Sequence, residues 1–264
     1  MEQEAVLPNG PHVGVFATCL VDLMRPAVGF ATVRLLERIG CQVTVPMNQT
    51  CCGQPAYNSG DNGSAIAIAC EVITAFASFD YVVVPSGSCA GTLKKHYPEM
   101  LASDSRWASR AEDLSKKTYE LTQFLVDVVK LGDVGATWFN AATYHDSCSG
   151  LRELGIKDQP RTLLKSVSGL TLSEGAEAET CCGFGGLFCV KYGDISDEIV
   201  GRKVADIHGT GADMVLGGDL GCLMNIAGKL KRQGSPVEVR HVAEILADVH
   251  DHAAIADPDN LGDA

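Results

Sequence analysis

Apolar and polar positions follow a repeated order along the first part of the chain. Short apolar runs at 12–19 (HVGVFATC) and 41–47 (CQVTVPM) are predicted to be strands, and the run 27–40 between them has helical spacing. A longer apolar helix is predicted over 63–79. The β-branched run 80–89 (DYVVVPSGSC) is typical of a parallel strand covered on both faces. The pattern therefore predicts a βαβ unit followed by another helix and strand.

The same order returns in the second part of the chain. Strands are predicted at 142–148, 169–175 and 212–222, and helices at 159–167 and 195–211. The fold class that follows is α/β. We expect two pseudo-symmetric Rossmann-like halves from an internal duplication, each with one C…CCG…C motif.

The division of the chain follows from this repeat. An amphipathic connecting helix is predicted over 110–132, with apolar positions at Leu114, Leu121, Leu125 and Val128. The polar C-terminal residues are expected to be solvated. We expect a first CCG half at 1–97, a connecting helical segment at 98–140, a second CCG half at 141–248 and a polar tail at 249–264.

Charge and composition narrow the possible partners. The net charge is −12, with 33 acidic against 21 basic residues, which disfavours nucleic acid and anionic membrane surfaces. The most apolar stretch, 65–84, is interrupted by Glu71 and Asp80, and the N-terminus has no pattern of an export signal. We expect a cytoplasmic protein without a membrane span. Eleven cysteines in such a protein indicate metal or redox chemistry.

Eight of the eleven cysteines follow the repeat. The spacings within each C…CCG…C motif are 32 and 37 positions in the first half and 33 and 40 in the second. Each half offers four thiols from three loops after strands, which is the number that a 4Fe-4S cluster or a tetrahedral zinc ion requires. The predicted metal and cofactor ligands are Cys19, Cys51, Cys52, Cys89, Cys148, Cys181, Cys182 and Cys222.

The doubled cysteines favour an iron-sulfur cluster over zinc. Structural zinc is usually held by cysteines two to four residues apart, whereas adjacent cysteines could reach different irons of an extended cluster. Gly53 and Gly183 follow the pairs and would allow a tight turn. We expect one 4Fe-4S type cluster in each half, with zinc in one half as a minor possibility. A zinc-held protein-binding scaffold and metal-free dithiol redox chemistry stay open as alternatives.

Five motifs resemble a known family. These are QTCCGQPAYNSGD, VVPSGSCAGTLKKHYPE, YHDSCSGLRELGI, CCGFGGLF and DLGCLMNIAGKL. The chain resembles the CCG-domain iron-sulfur proteins, which include the B subunit of heterodisulfide reductase and the iron-sulfur subunit of glycolate oxidase. Within that family, the motifs are similar to the lactate-utilisation branch. The fullest CCG pattern ends in C-x-x-C and supplies a fifth cysteine to a non-cubane cluster, but here AGT follows Cys89 and LMN follows Cys222. An ordinary cubane and a site with a non-cysteine ligand therefore both stay open.

The resemblance implies a function and partners. It implies an oxidoreductase component, active with partner subunits that include a second iron-sulfur protein, in a complex that oxidises L-lactate to pyruvate in the cytoplasm. The small 2-hydroxy acid is the implied substrate. A related subunit acting on glycolate, another 2-hydroxy acid or a disulfide is the alternative within the same class.

Catalytic residues are less clear from the sequence. His145 and Asp146 precede Cys148 and could relay protons or hydrogen bond to cluster sulfurs. His96 follows Cys89, and Arg152 follows Cys148 closely enough to hold a substrate carboxylate. The cysteines without a counterpart in the other half are expected to be ordinary buried thiols; these are Cys41, Cys70 and Cys189.

Overall fold

A computed structural model of the protein describes residues 10–257. The chain divides at Leu131 into two compact units, which are described separately. Among the described residues, no helix is long and apolar enough to span a membrane.

The first unit alternates strands and helices. One helix is continuous from Gly87 to Leu101 and contains a π-helical turn over Thr92–His96. A second π-helical turn covers Phe124–Val128. The two α-helical ends of the helix from Gly87 to Leu101 are labelled α5 (Gly87–Gly91) and α6 (Tyr97–Leu101). The remaining labelled elements are β1 (His12–Val15), α1 (Cys19–Met24), α2 (Pro26–Arg38), β2 (Gln42–Thr44), α3 (Gln54–Ser59), α4 (Asn62–Ala75), β3 (Tyr81–Val84), α7 (Ala108–Lys117), β4 (Thr118–Glu120) and α8 (Leu121–Gln123).

The first sheet has four parallel strands in the order β2-β1-β3-β4. The apolar runs explain the central position of β1 and β3, because both strands are buried on both faces. Val82, Val83 and Val84 have no exposed surface. Burial of each such side chain contributes roughly 1.5–3 kcal/mol to the stability of the unit.

The predicted connecting helix over 110–132 is wrong as a single element. Helix α7 ends at Lys117, and the next three residues form β4, which is the fourth strand of the first sheet. Thr118 explains part of this change, since its hydroxyl donates to the Leu114 carbonyl at 2.7 Å as the helix ends. Tertiary pairing with β3 overrides the helical spacing of the leucines.

The second unit repeats this organisation. Its elements are β5 (Ala141–His145), α9 (Cys148–Leu154), α10 (Asp158–Lys165), β6 (Thr171–Leu172), α11 (Phe188–Lys191), α12 (Gly193–Gly209), β7 (Met214–Gly217), α13 (Leu220–Arg232), β8 (Glu238–His241) and α14 (Val242–Leu246). The sheet is again parallel, in the order β6-β5-β7-β8. The prediction of two pseudo-symmetric α/β halves is confirmed.

The strand order positions the functional edge of each unit. In both sheets the first and third strands lie side by side at the centre, and the connections run to opposite sides from there. Ligands of open α/β sheets bind beyond the carboxyl ends of the strands at such a point. Cys19 and Cys89 follow the central strands of the first unit, and Cys148 and Cys222 follow those of the second.

The C-terminal residues differ in part from the solvated tail expected. Ala254 is buried, and the Ile255 amide donates to the Val239 carbonyl at 2.9 Å, which extends the pairing beside β8. Arg240 also donates to the His252 carbonyl at 2.7 Å. The chain therefore packs on the second unit as far as 257, and the remaining tail residues, 258–264, lie outside the described residues.

Candidate metal centres

The four patterned thiols of the first unit lie together. Cys19 begins α1, Cys89 lies in α5, and Cys51 and Cys52 lie in the loop before α3. The sulfurs of Cys19 and Cys51 are 3.8 Å apart. The Cys52 thiol forms hydrogen bonds with both Cys51 and Cys89. These four residues are called the first quartet below.

The second unit brings together the equivalent residues, called the second quartet. Cys148 begins α9 and hydrogen bonds with Cys181. Cys182 hydrogen bonds with Cys181 and with Cys222, which lies in the first turn of α13. Cys182 and Cys222 are buried, as are Cys52 and Cys89 in the first quartet.

Local capping explains how the first cysteine of each quartet is positioned. Thr18 caps α1 by accepting a hydrogen bond from the Val21 amide at 3.3 Å. Ser147 caps α9 in the same way from the Gly150 amide at 3.2 Å. Both caps turn the chain from a strand into a helix directly before the cysteine.

The glycine after each doubled cysteine is required by the backbone. Gly53 and Gly183 have φ of 80° and 81°, in the left-handed region. This turn brings their amides to the sulfurs of Cys51 and Cys181, at 3.4 Å and 3.3 Å. At Gly183, a Cβ atom would also lie 2.7 Å from the Ser196 carbonyl. The turn therefore depends on glycine, as the sequence indicated.

Two residues outside the C…CCG…C motifs, which the sequence did not reveal, donate hydrogen bonds to backbone carbonyls of the doubled cysteines. The Tyr97 hydroxyl donates to the Cys52 carbonyl at 2.9 Å, and the Asn225 side-chain amide donates to the Cys182 carbonyl at 2.8 Å. The two donors are different residue types at different distances from the last cysteine of their motifs. No repeat in the sequence could have revealed them.

The thiols of each quartet share their protons unequally. Hydrogen bonds from Cys19 and Cys52 lower the pKa of Cys51, and bonds from Cys148 and Cys182 lower that of Cys181. The same contacts, together with burial, raise the pKa of Cys19, Cys52, Cys148 and Cys182, so these thiols keep their protons in the absence of metal. A metal binds thiolates by displacing such protons.

The donor sets fit a metal. Each quartet supplies four sulfurs, and two of them are buried. As thiolates the four sulfurs would repel one another unless a cation lay among them. Two thiolates on one tetrahedral metal with bonds of about 2.3 Å lie ~3.8 Å apart. The observed separation of Cys19 and Cys51 is 3.8 Å. The structure therefore brings the four predicted thiols of each unit together, and the one sulfur-sulfur distance given, between Cys19 and Cys51, suits ligation of a single metal ion.

The three remaining cysteines make other contacts. Burial raises the pKa of the Cys41 thiol to about 11, so this thiol is uncharged and packs in the core like an apolar side chain. Cys189 donates to the Gly186 carbonyl at 3.6 Å. Cys70 lies half-buried on α4.

The weak catalytic candidates have different surroundings. His145 lies at the second quartet, and its nitrogen, Cys182 Sγ and Cys222 Sγ are within 4.8 Å of one another. Asp146 is held by the Arg161 guanidinium through two bonds of 2.9 and 2.8 Å. His96 stacks on Tyr57 with ring centres 4.7 Å apart.

A polar cavity of about 760 Å³ lies beside the second quartet and includes Cys181 in its wall. Two of its cations are already paired, Arg161 with Asp146 and Glu174, and Lys157 with Glu179. Arg152 also lines the cavity and forms no ion pair with another described residue. The cavity thus offers one unpaired guanidinium near a metal-ligand candidate.

The family is established by comparison with known proteins. The CCG cysteine-rich domain matches residues 13–94 and 142–227, two segments that contain both quartets. The chain therefore belongs to the CCG cysteine-rich domain family.

Close relatives carry the name lactate utilization protein A. Those of Geobacillus sp. (strain WCH70) and Geobacillus kaustophilus (strain HTA426) are 53% identical over 234 residues, and that of Shouchella clausii (strain KSM-K16) is 51% identical over 235 residues. Each alignment covers 89% of this chain and 98% of the relative. The chain groups with the lactate utilization A proteins, which confirms the expected family.

Proposed function

We propose that the chain is an iron-sulfur electron-transfer subunit of a multi-protein complex that oxidises L-lactate to pyruvate in the cytoplasm. The first and second quartets would each hold one 4Fe-4S type cluster. When bound, such clusters accept and release electrons one at a time, at potentials set by their ligands, hydrogen bonds and burial. The chain would work as an oxidoreductase component with partner subunits that include a second iron-sulfur protein.

The observation that carries the proposal is the duplicated thiol quartet at the carboxyl ends of the central strands. Each quartet lies where ligands of open α/β sheets bind, and four thiols at such a point suit an electron-carrying cluster. The relatives' name points to lactate as the substrate, and the L-isomer is part of this proposal. Oxidation of lactate to pyruvate releases two electrons and two protons, and the electrons must leave through one-electron carriers.

The cavity in the second unit supports contact with a 2-hydroxy acid. Arg152 would bind the substrate carboxylate, since it forms no ion pair with another described residue and only its longer-range charge acts on Glu179. Asp146 is a poor general base because Arg161 holds both of its oxygens. Its role in this account is to anchor Arg161 in the cavity wall.

A zinc-held scaffold is the second candidate, and one distance favours it. The 3.8 Å separation of Cys19 and Cys51 suits two thiolates on a single ion. In that case the quartets would shape a protein-binding surface and carry no electrons.

Reconstitution tests the proposed reaction. The chain is purified without oxygen, combined with its partner subunits and supplied with a one-electron acceptor, and pyruvate and reduced acceptor are measured. We expect about two reduced acceptors per pyruvate with L-lactate, and loss of turnover in Cys51→Ser but not in Cys70→Ser. If the complex oxidised glycolate but did not oxidise lactate, the substrate would be reassigned to glycolate. Full activity in Cys51→Ser would contradict electron transfer through the first quartet.

A further inference from the structure

His145 is an unusual residue for its position. It ends β5, a central strand of the second sheet, and is 2% exposed. Both ring nitrogens are buried and have no hydrogen-bond partner among the described residues. A buried polar group without a hydrogen-bond partner destabilises the folded protein. Histidine at this position therefore calls for a partner that the described residues do not provide.

The neighbours of His145 indicate what that partner is. A ring nitrogen, Cys182 Sγ and Cys222 Sγ all lie within 4.8 Å of one another, and all three residues are buried. Metal bonds to sulfur and to imidazole nitrogen are about 2.3 Å and 2.0–2.1 Å. Three such atoms can reach one metal atom with only small movements.

The described part of the first unit has no equivalent donor at the corresponding position. The residue three positions before the first cysteine of the quartet is His145 in the second unit and Phe16 in the first. Phe16 is fully buried and packs against Phe76 with ring centres 5.6 Å apart. The duplication has thus kept the four thiols in each unit while placing a nitrogen donor in one unit only.

We propose that His145 is a nitrogen ligand of the metal centre in the second unit, so that this centre has mixed cysteine and histidine ligation while the first has thiolates alone. The inference rests on the proposed function only in requiring that the second quartet binds metal. In this arrangement His145 takes the place of one of the four thiolates on the metal, and a neutral imidazole in place of a thiolate raises the reduction potential of an iron-sulfur centre. The second centre would then be the more easily reduced of the two.

The test uses whole protein purified without oxygen. X-ray absorption at the edge of the bound metal, iron or zinc, is measured on Cys51→Ser protein, in which the second centre alone is expected to be filled. We expect a nitrogen scatterer at about 2.0–2.1 Å. Paramagnetic resonance of reduced protein labelled with ¹⁵N-histidine should show coupling to one imidazole nitrogen when the metal is iron.

Variants separate ligation from a packing role. His145→Phe copies the first unit, so its four thiols should still hold metal, but the nitrogen signal should be lost and the potential of the second centre should fall towards that of the first. His145→Cys should keep the metal and lower the potential of this centre. His208→Gln, an exposed histidine of the same unit, should change neither.

The outcomes distinguish this inference from the proposed function. Metal in the second quartet with sulfur scatterers only, or a His145→Phe protein with unchanged metal and potential, would overturn the role of His145 and leave the proposed function standing. Absence of metal from both quartets would overturn both. Zinc with a nitrogen ligand would support His145 and contradict the electron-transfer proposal.

Discussion

The Tyr97 hydroxyl donates a 2.9 Å hydrogen bond to the Cys52 carbonyl. This bond fixes the peptide between the doubled cysteine and Gly53. Tyr97 is fully buried, and burial raises the pKa of its hydroxyl, which therefore stays protonated as a donor. In the second unit Asn225 makes the corresponding bond to the Cys182 carbonyl. Each doubled cysteine is thus held by its backbone as well as by its thiols.

Removal of the Tyr97 hydroxyl should weaken the first unit. Tyr97→Phe keeps the ring but leaves the Cys52 carbonyl without this donor, and we expect a loss of about 1–3 kcal/mol in the free energy of unfolding. Urea unfolding and metal content measure the effect, which should include easier loss of metal from the first quartet. Tyr119→Phe is the control, because that hydroxyl has no hydrogen-bond partner among the described residues. Equal effects of the two substitutions would contradict the role of Tyr97.

Alanine after the doubled cysteine should be harmful, and more so in the second unit. Gly53→Ala and Gly183→Ala both place a side chain at positive φ, which costs roughly 1–2 kcal/mol. The added Cβ has its nearest neighbour at 3.4 Å in Gly53→Ala and at 2.7 Å in Gly183→Ala. Metal content and thermal unfolding should fall in both proteins.

Gly209→Ala provides the matched control for these substitutions. Gly209 ends α12 with open space around it, so alanine there should be neutral or slightly stabilising. If Gly183→Ala were as harmless as Gly209→Ala, the left-handed turn would not be needed for the second quartet.

Cysteine substitutions should act on one half at a time. Cys51→Ser removes a ligand of the first quartet and Cys182→Ser one of the second, so each should lose the metal of its own half and retain the other. Cys70→Ser should keep the full metal content, since this residue lies outside both quartets. Iron and sulfide analysis measures this, and metal loss in Cys70→Ser as large as in Cys51→Ser would make the ligand assignment wrong.

The Arg161 and Glu174 pair should make the second unit more sensitive to acid. Hydrogen bonds from Arg161 lower the pKa of Glu174 below its ordinary value. A lowered folded-state pKa contributes stability above the unfolded pKa, and this is lost as the pH falls through the folded pKa. Glu174→Gln should therefore be less stable than the unsubstituted protein near pH 7, with the difference shrinking below about pH 4.

Urea unfolding at several pH values tests this sign. Glu198→Gln is the control, because Glu198 forms an exposed pair with Arg202 within α12. A difference between Glu174→Gln and the unsubstituted protein that grew on acidification would contradict the assigned direction.

The sequence predicted much of the fold because two kinds of local signal were strong. The apolar runs of β3 and β7 are buried on both faces. The repeated spacing of the cysteines predicted that each quartet lies at one edge of its own sheet. The left-handed turn after each doubled cysteine could also be predicted, since glycine adopts it readily and Gly53 and Gly183 stand at these positions.

Features set by distant contacts could not be predicted. Strand β4 forms by pairing with β3, although its surroundings have helical spacing. Tyr97 and Asn225 act on backbone carbonyls 45 and 43 positions away, and their identities differ between the units. His145 was a candidate from its place before Cys148, but its burial beside Cys182 and its lack of a hydrogen-bond partner required the structure.

Metal analysis of protein purified without oxygen tests the central claim most directly. Iron, acid-labile sulfide and zinc are measured together with visible and paramagnetic resonance spectra before and after reduction. The account predicts about four irons per half with matching sulfide, and spectra that change on reduction. Colourless protein with stoichiometric zinc and no iron would contradict electron transfer and support a zinc-held scaffold.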